Sequence, residues 1–219
     1  MFIGHFAPAL VAATHPKAPG LGKLFVAAQL TDFAFFALVL AGVEKMRLAP
    51  GMTVMNGMDL YHMPYTHSLL GTAGWALLFA IVIYSLSRNL TGATIGAGVV
   101  LSHWFIDLIV HAPDLTIAGS PPKIGFGLWN YPALEMPLEL AITFGALAFY
   151  ALRTKSADGN NRRIWILGGV LLALQAYNWF APEPEILDAM MPISGLAAFT
   201  LAAGLAGWAA LGRVAATQS

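Results

Sequence analysis

The sequence contains six stretches of about 20 mainly apolar residues, and this feature restricts the possible folds more than any other. A helix needs about 20 such residues to cross the hydrocarbon core of a bilayer. The predicted spans are approximately 22–43, 67–87, 91–112, 133–152, 163–181 and 190–212. Only 10% of the 219 residues are charged, whereas soluble domains average about 25%. We therefore predict an all-α, polytopic membrane protein with about six transmembrane helices.

A shorter apolar stretch, approximately 2–14, precedes the first span and predicts a half-length helix. Because it is too short to cross a bilayer, a re-entrant path would suit it. No internal repeat or soluble segment interrupts the chain, so residues 1–219 are predicted to form a single membrane domain.

Charge and cysteine content exclude several classes of function. Eleven basic residues balance eleven acidic ones, and no block of like charge suggests a nucleic-acid interface. The chain has no cysteine, so disulfides, thiolate zinc sites and cysteine nucleophiles are excluded. Histidine and carboxylate side chains remain as metal ligands.

The basic residues in the short loops predict the orientation in the membrane. One side carries Lys17, Lys23, Arg88, Arg153, Lys155, Arg162, Arg163 and Arg213, and the other carries Lys45, Arg47 and Lys123. The more basic side is expected to be cytoplasmic. Loops 44–66 and 113–132 are then extracytoplasmic, and a bacterial-type inner (plasma) membrane is the expected location.

The third predicted span carries two histidines and an aspartate at four-residue steps, His103, Asp107 and His111. In a helix these side chains stack on one face, drifting by roughly 40° per step. Each ionisable group at membrane depth costs about 2.5 to 3.5 kcal/mol on insertion scales, so such groups usually mark a functional site that faces the protein interior. The spacing predicts a metal site.

The predicted topology brings further polar side chains to the same depth. Asp32 lies near the middle of the first span, His67 opens the second, and His5 lies in the half-length helix. The candidate metal ligands are therefore His5, Asp32, His67, His103, Asp107 and His111. This set suits zinc best, with manganese or iron(II) as alternatives, and one or two ions. The metal-site portion is about 1–139, and the helices of about 140–212 are predicted scaffold.

Several neighbouring residues have more than one interpretation. His62 and Ser68 are candidates for an additional ligand or for orienting His67, and the Thr66 hydroxyl could orient His67 too. Thr66 or Ser68 could instead cap the second span. Glu135 and Asp107 are candidate catalytic groups, with Glu135 as a proton acceptor. Glu135 and Glu139 could instead cap the fourth span, and Asp32 could serve a proton relay.

A resemblance rests on four elements: His5, the Leu30-Thr31-Asp32 motif, the stretch from Tyr61 to Ser68, and Ser102-His103 followed by Asp107. Together they resemble the YdjM-type membrane-bound, metal-dependent hydrolases, which are similar in their His/Asp signature to zinc-dependent phospholipase C and P1-type nucleases. The resemblance covers mainly residues 1–135 and implies a metal hydrolase of phosphoesters. The chain departs from it at Met63-Pro64, where the family pattern has Arg-Gly.

The sequence thus predicts hydrolysis of phosphoesters such as lipid headgroup esters, by a metal-activated water near the outer membrane face. Membrane lipid is the environment and a candidate substrate, and Trp129, Asn130 and Tyr131 are predicted to frame a lateral entrance. The main alternative is a transporter of metal ions or protons that uses the same cluster. A haem protein with two histidine ligands and a purely structural membrane protein are further alternatives.

Overall fold

The computed structural model describes residues 1–157, 159–182 and 186–215, and it is mostly helical, at 63%. The helices are α1 (Phe6–Ala12), α2 (Leu21–Ala28), α3 (Leu30–Leu40), α4 (Leu69–Ser87), α5 (Leu90–Val110), α6 (Pro132–Arg153), α7 (Arg162–Phe180) and α8 (Met190–Ala209). The short strands are β1 (Lys45–Leu48), β2 (Met58–His62), β3 (Thr154–Ser156) and β4 (Arg213–Ala215). Single 3₁₀ turns, Ile3–His5 and Leu128–Asn130, lie before α1 and α6.

Four helices in the described part of the chain, α4, α5, α6 and α8, are long and apolar enough to cross a membrane. The number of candidate spans rises to five if α2 and α3, which meet at a bend of 54°, form one span together. The prediction of about six spans is not confirmed, because α7 does not join this group. It begins with Arg162 and Arg163 and contains Gln175 and Asn178, which lower its hydropathy.

Polar side chains cap the N-termini of α4 and α5, the two helices that matter most for the site. The Oγ atom of Ser68 accepts a hydrogen bond from the Gly71 amide at 2.9 Å, so Ser68 caps α4, which was one of its predicted roles. Asn89 caps α5 in the same way through the Gly92 amide at 3.0 Å. Only Arg88 and Asn89 separate α4 from α5, so the two helices run antiparallel, and the start of α4 lies beside the end of α5.

The main hydrophobic core joins α1 and α2 to the longer helices α4 to α8. Phe6 of α1 stacks on Phe25 of α2 with ring centroids 4.3 Å apart. A side chain at Gly22 would approach the backbone of Gly207 to 3.0 Å, so α2 and α8 pack through small residues, as membrane helices often do. The core therefore includes both the predicted metal-site portion and the predicted scaffold helices.

A second, smaller core lies beneath the β1–β2 hairpin. It includes Phe35 of α3, Trp104 of α5, and Met46 and Leu60 of the two strands. The hairpin is antiparallel, with Lys45 opposite His62. This core holds α3 against α5 at the end of the helices where the polar residues gather.

Candidate metal centre

All six predicted metal ligands come together in one cluster at the end of the bundle covered by the β1–β2 hairpin. They are His5 before α1, Asp32 on α3, His67 before α4, and His103, Asp107 and His111 along and just after α5. The four histidines and Asp107 are buried, and the Asp32 side chain is 21% exposed. Asp32 is thus the one ligand open to its surroundings.

Asp107 lies at the centre of the cluster, and its two carboxylate oxygens face different histidines. Oδ1 lies 3.0 Å from Nε2 of His5 and 3.4 Å from Nε2 of His111. Oδ2 lies 3.0 Å from Nε2 of His103 and 3.7 Å from Nε2 of His67. One carboxylate therefore connects every histidine of the site.

Asp32 closes the other side of the cluster. Its Oδ1 atom lies 3.2 Å from Nε2 of His67 and 3.5 Å from Nε2 of His103. Two groups of three ligand atoms result, each with its atoms within 4.8 Å of one another: His5, His103 and Asp107, and Asp32, His67 and His103. His103 belongs to both groups.

The donor atoms fit a bound cation. Nε2 of His5, Nε2 of His103 and Oδ2 of Asp107 are buried without a hydrogen-bond partner in the described part of the chain. Buried polar atoms are normally satisfied, because an unmade hydrogen bond costs about 1 to 3 kcal/mol. Nitrogen and oxygen donors that converge in this way are the ligand set of zinc, manganese or iron(II).

His103 is oriented by the break between α2 and α3. Its Nδ1 atom lies 2.8 Å from the carbonyl oxygen of Ala28, the last residue of α2. A carbonyl oxygen only accepts, so Nδ1 carries the proton and Nε2 presents its lone pair to the cluster. The bend that divides the first predicted span thus supplies the acceptor that fixes a ligand.

His111 is held by a carboxylate on its outer side. Its Nδ1 atom lies 2.9 Å from Oδ1 of the buried Asp114, and the ring of Trp129 lies 4.3 Å from its own. Burial lowers the pKa of His111, but the carboxylates of Asp107 and Asp114 outweigh this effect and raise it to about 9. The position therefore attracts positive charge.

His67 is oriented by a two-step relay. The Thr66 hydroxyl donates to Oε2 of Glu44 at 2.6 Å, so its oxygen accepts from Nδ1 of His67 at 2.9 Å. Oε1 of Glu44 also accepts from the Tyr65 and Thr66 amides. Both Glu44 and Thr66 are buried. The relay leaves Nε2 of His67 free to face Asp32 and Asp107.

His5 is placed by stacking and by an anchored backbone. Its ring lies flat on that of His103, with centroids 3.8 Å apart and planes 8° from parallel. Oε1 of Glu139 accepts from the Phe2 amide at 2.6 Å and the Gly4 amide at 2.9 Å, while Oε2 accepts from Gln175 at 2.9 Å. Glu139 thus anchors the segment that carries His5, and it does so with a side chain that sequence analysis assigned only to capping.

The remaining predicted site residues, Glu135, His62 and Ser68, lie in different environments. Glu135 is buried, and neither of its carboxylate oxygens has a hydrogen-bond partner among the described residues. It therefore does not act as a hydrogen-bonded cap. His62 is exposed at the end of β2 and is not part of the cluster, and Ser68 serves as the cap of α4. The structure does not bring these last two into the ligand set.

The sequence predicted that Thr66 could orient His67, as it does, but it did not predict the other groups that orient the ligands. Asp114 follows His111 by three residues, a spacing that could have revealed it. Glu44 reaches His67 from 23 positions away through a fold that no local pattern shows. The Ala28 carbonyl belongs to the backbone and leaves no signal in the residue type.

No protein-family model, curated protein or solved structure matches this chain. The likeness to the YdjM-type hydrolases therefore stays a prediction.

Proposed function

We propose that this chain is an integral-membrane, metal-dependent hydrolase of phosphoesters, such as the headgroup esters of membrane lipids. The observation that carries the proposal is the buried cluster of four histidines and two aspartates with unpartnered donor atoms. A cluster of this kind is costly to bury without a function. The resemblance noted in the sequence gives the reaction class.

The two oxygens of Asp107 support a centre with one or two ions. One oxygen is nearest to His5 and the other is nearest to His103, each at 3.0 Å. A carboxylate arranged in this way can serve two ions at once, and paired ions suit displacement at phosphorus. Zinc is the first choice, since imidazole and carboxylate ligands both suit it.

A divalent ion in such a site polarises the scissile group and lowers the pKa of a water toward about 7. The protein's own groups would do the rest. Asp32 is the one ligand whose side chain is partly exposed, so a substrate would approach the site beside Asp32. Glu135 is our candidate acceptor for the proton that the attacking water loses, a role that requires its buried carboxyl group to be ionised.

The membrane setting favours a lipid substrate. Apart from His5, the ligands lie on and beside α3, α4 and α5, of which α4 and α5 are candidate spans. The basic residues of the loops favour an opening to the extracytoplasmic side. The Trp129 ring contacts the His111 ring, and Tyr131, two residues further along, is 60% exposed, so both suit the rim of a lateral entrance.

The proposal is tested by elemental analysis of protein purified without a metal-affinity step, followed by assays on phospholipids and soluble phosphodiesters. Activity should disappear with chelator, return with a divalent ion, and fall by orders of magnitude in Asp32→Asn. The matched control is Asp59→Asn, which removes a carboxylate from β2 that pairs with Arg47 instead of a histidine. It should keep both metal and activity.

Two outcomes would overturn the proposal. Metal-loaded protein that hydrolyses nothing but moves metal ions or protons across vesicle membranes would make the chain a transporter. Folded protein that retains no transition metal at all would remove the basis of both functions.

A further inference from the structure

The two ligand groups of the metal centre share one residue, His103. The inner group consists of His5, His103 and Asp107, and the outer group consists of Asp32, His67 and His103. Nδ1 of His103 is engaged with the Ala28 carbonyl at 2.8 Å, so Nε2 is the one atom that His103 offers to either group. A neutral imidazole nitrogen has a single lone pair. His103 can therefore complete the inner group or the outer group, but not both at once.

The two groups differ in their access to the surroundings. The side chains of the inner group are at most 2% exposed, whereas the Asp32 side chain of the outer group is 21% exposed. An ion that arrives from outside therefore meets Asp32 before it meets His5 or Asp107. The outer group lies on the way to the inner one.

The inner group has the greater need for a cation. Each of its residues contributes a buried atom without a hydrogen-bond partner in the described part of the chain: Nε2 of His5, Nε2 of His103 and Oδ2 of Asp107. Of the outer group, Asp32 and His67 contribute no such atom to that set. Because an unpaired buried polar atom is costly, an ion gains more by occupying the inner group and should settle there first.

On these grounds we propose that the outer group is an exchange position, through which metal enters and leaves, and that the inner group is the resting position. Zinc lies about 2.0 to 2.1 Å from an imidazole nitrogen, so two positions that share Nε2 of His103 are within about 4 Å of each other. An ion can pass between them while it keeps His103. A second ion, which arrives when the inner group is filled, lacks His103 and binds more weakly. The inference rests on the metal centre of the proposed function and concerns how the supply of metal regulates it.

The first test counts ions. Protein in lipid nanodiscs is freed of metal with a chelator and titrated with zinc against a fluorescent competitor. The wild type should bind two ions in separate steps. The second should bind at least about tenfold more weakly, since even changes in groups that only orient a ligand cost about 10- to 100-fold in affinity. The control is Asp59→Asn, which removes a carboxylate outside the cluster and should show the same two steps.

The second test uses two variants that disable opposite positions. Asp32→Asn removes the charged ligand of the outer group, so it should bind one ion, in the inner group. His5→Gln removes a ligand of the inner group and frees His103 for the outer one. It should bind one ion too, and more tightly than the wild type binds its second ion.

The rate of release distinguishes the two positions. On mixing with excess chelator, the wild type should lose zinc in a fast phase and a slow phase. The ion should leave His5→Gln at least about tenfold faster than it leaves Asp32→Asn, because a charge that lines a cleft accelerates the passage of counter-ions by about 10- to 1,000-fold. If His5→Gln does not fold, the two phases of the wild type provide the same comparison.

The outcomes separate this inference from the proposed function. A single binding step and a single release phase in the wild type, or equal release rates from the two variants, would overturn the exchange position. Two-phase release from protein that hydrolyses no phosphoester supports the exchange position and removes the hydrolase. Hydrolysis by protein with one release phase does the reverse.

Discussion

Replacing Glu44 by glutamine should weaken metal binding, although Glu44 is not itself a predicted ligand. In the wild type the hydrogen-bond chain runs in one direction, from Nδ1–H of His67 to the Thr66 oxygen and from the Thr66 hydroxyl to Glu44. Glutamine can keep its carbonyl oxygen on the Tyr65 and Thr66 amides, which Oε1 of Glu44 now serves. Its NH₂ group then faces the Thr66 oxygen as a donor.

The direction of the hydrogen bonds from His67 to residue 44 is then reversed. The Thr66 oxygen would accept from glutamine, so its hydroxyl would donate to Nδ1 of His67. The proton of the neutral imidazole then moves to Nε2, the atom that faces Asp32 and Asp107 at 3.2 and 3.7 Å. A protonated nitrogen cannot ligate a metal. Changes in groups that orient ligands typically cost 10- to 100-fold in affinity, or about 1.4 to 2.7 kcal/mol.

The measurement is a competitive zinc titration of Glu44→Gln against wild type. The control is Asp59→Asn, which removes a carboxylate from the hairpin that begins just after Glu44. Nitrogen NMR of labelled histidine reports the tautomer of His67 directly. The reasoning is refuted if Glu44→Gln binds zinc as tightly as wild type, or if Asp59→Asn weakens it equally.

Three further predictions follow from the same geometry. Asp107→Asn removes the charge that all four histidines face. The zinc affinity of this variant should therefore fall by more than the roughly 100-fold limit expected for Glu44→Gln. Equal losses for the two variants in the same titration would contradict the central place of Asp107. Glu139→Ala leaves the Phe2 and Gly4 amides without their acceptor, which costs about 1 to 3 kcal/mol of folding free energy for each amide. Thermal unfolding should therefore begin at a lower temperature. An unchanged Tm would show that the anchor is dispensable. The basic residues of the loops place Val54 outside and Ser87 inside, and both residues are exposed. A cysteine at Val54 should therefore react with an impermeant thiol reagent added to intact cells, and a cysteine at Ser87 should not. The converse labelling pattern would reverse the predicted membrane orientation.

The candidate site was more predictable than the path of the backbone. His103 and Asp107 share one helix, so a four-residue spacing and the cost of burying charge were enough to predict that they act together. His62 shows the limit of that reasoning, because residue type and proximity to His67 in the sequence favoured it. In the structure, His62 instead lies exposed at the end of β2, next to the exposed Tyr61.

The bend at Gln29 could not be predicted from apolar content. Residues 22–43 contain no proline, and hydropathy does not distinguish a straight span from a broken one. The break is fixed by tertiary contacts: the Gln29 side chain donates to the Phe2 carbonyl at 3.1 Å, and the Ala28 carbonyl accepts from His103. Such partners, like Glu44 for His67, lie far away in the sequence and become visible only in the folded chain.

The orientation of the histidines suits a cluster that can hold a cation. On His67, His103 and His111, an acceptor on the outer side holds the Nδ1 proton. In the neutral form, each Nε2 then presents a lone pair to carboxylate oxygens that lie 3.0 to 3.7 Å away. Two lone pairs at that distance repel each other unless positive charge lies between them. Protons on the imidazoles can supply part of this charge, because the pKa of His111 is raised to about 9. A divalent ion can also supply it: the ion accepts lone pairs from both sides and needs no donor, which suits the unpartnered Nε2 of His103 and Oδ2 of Asp107.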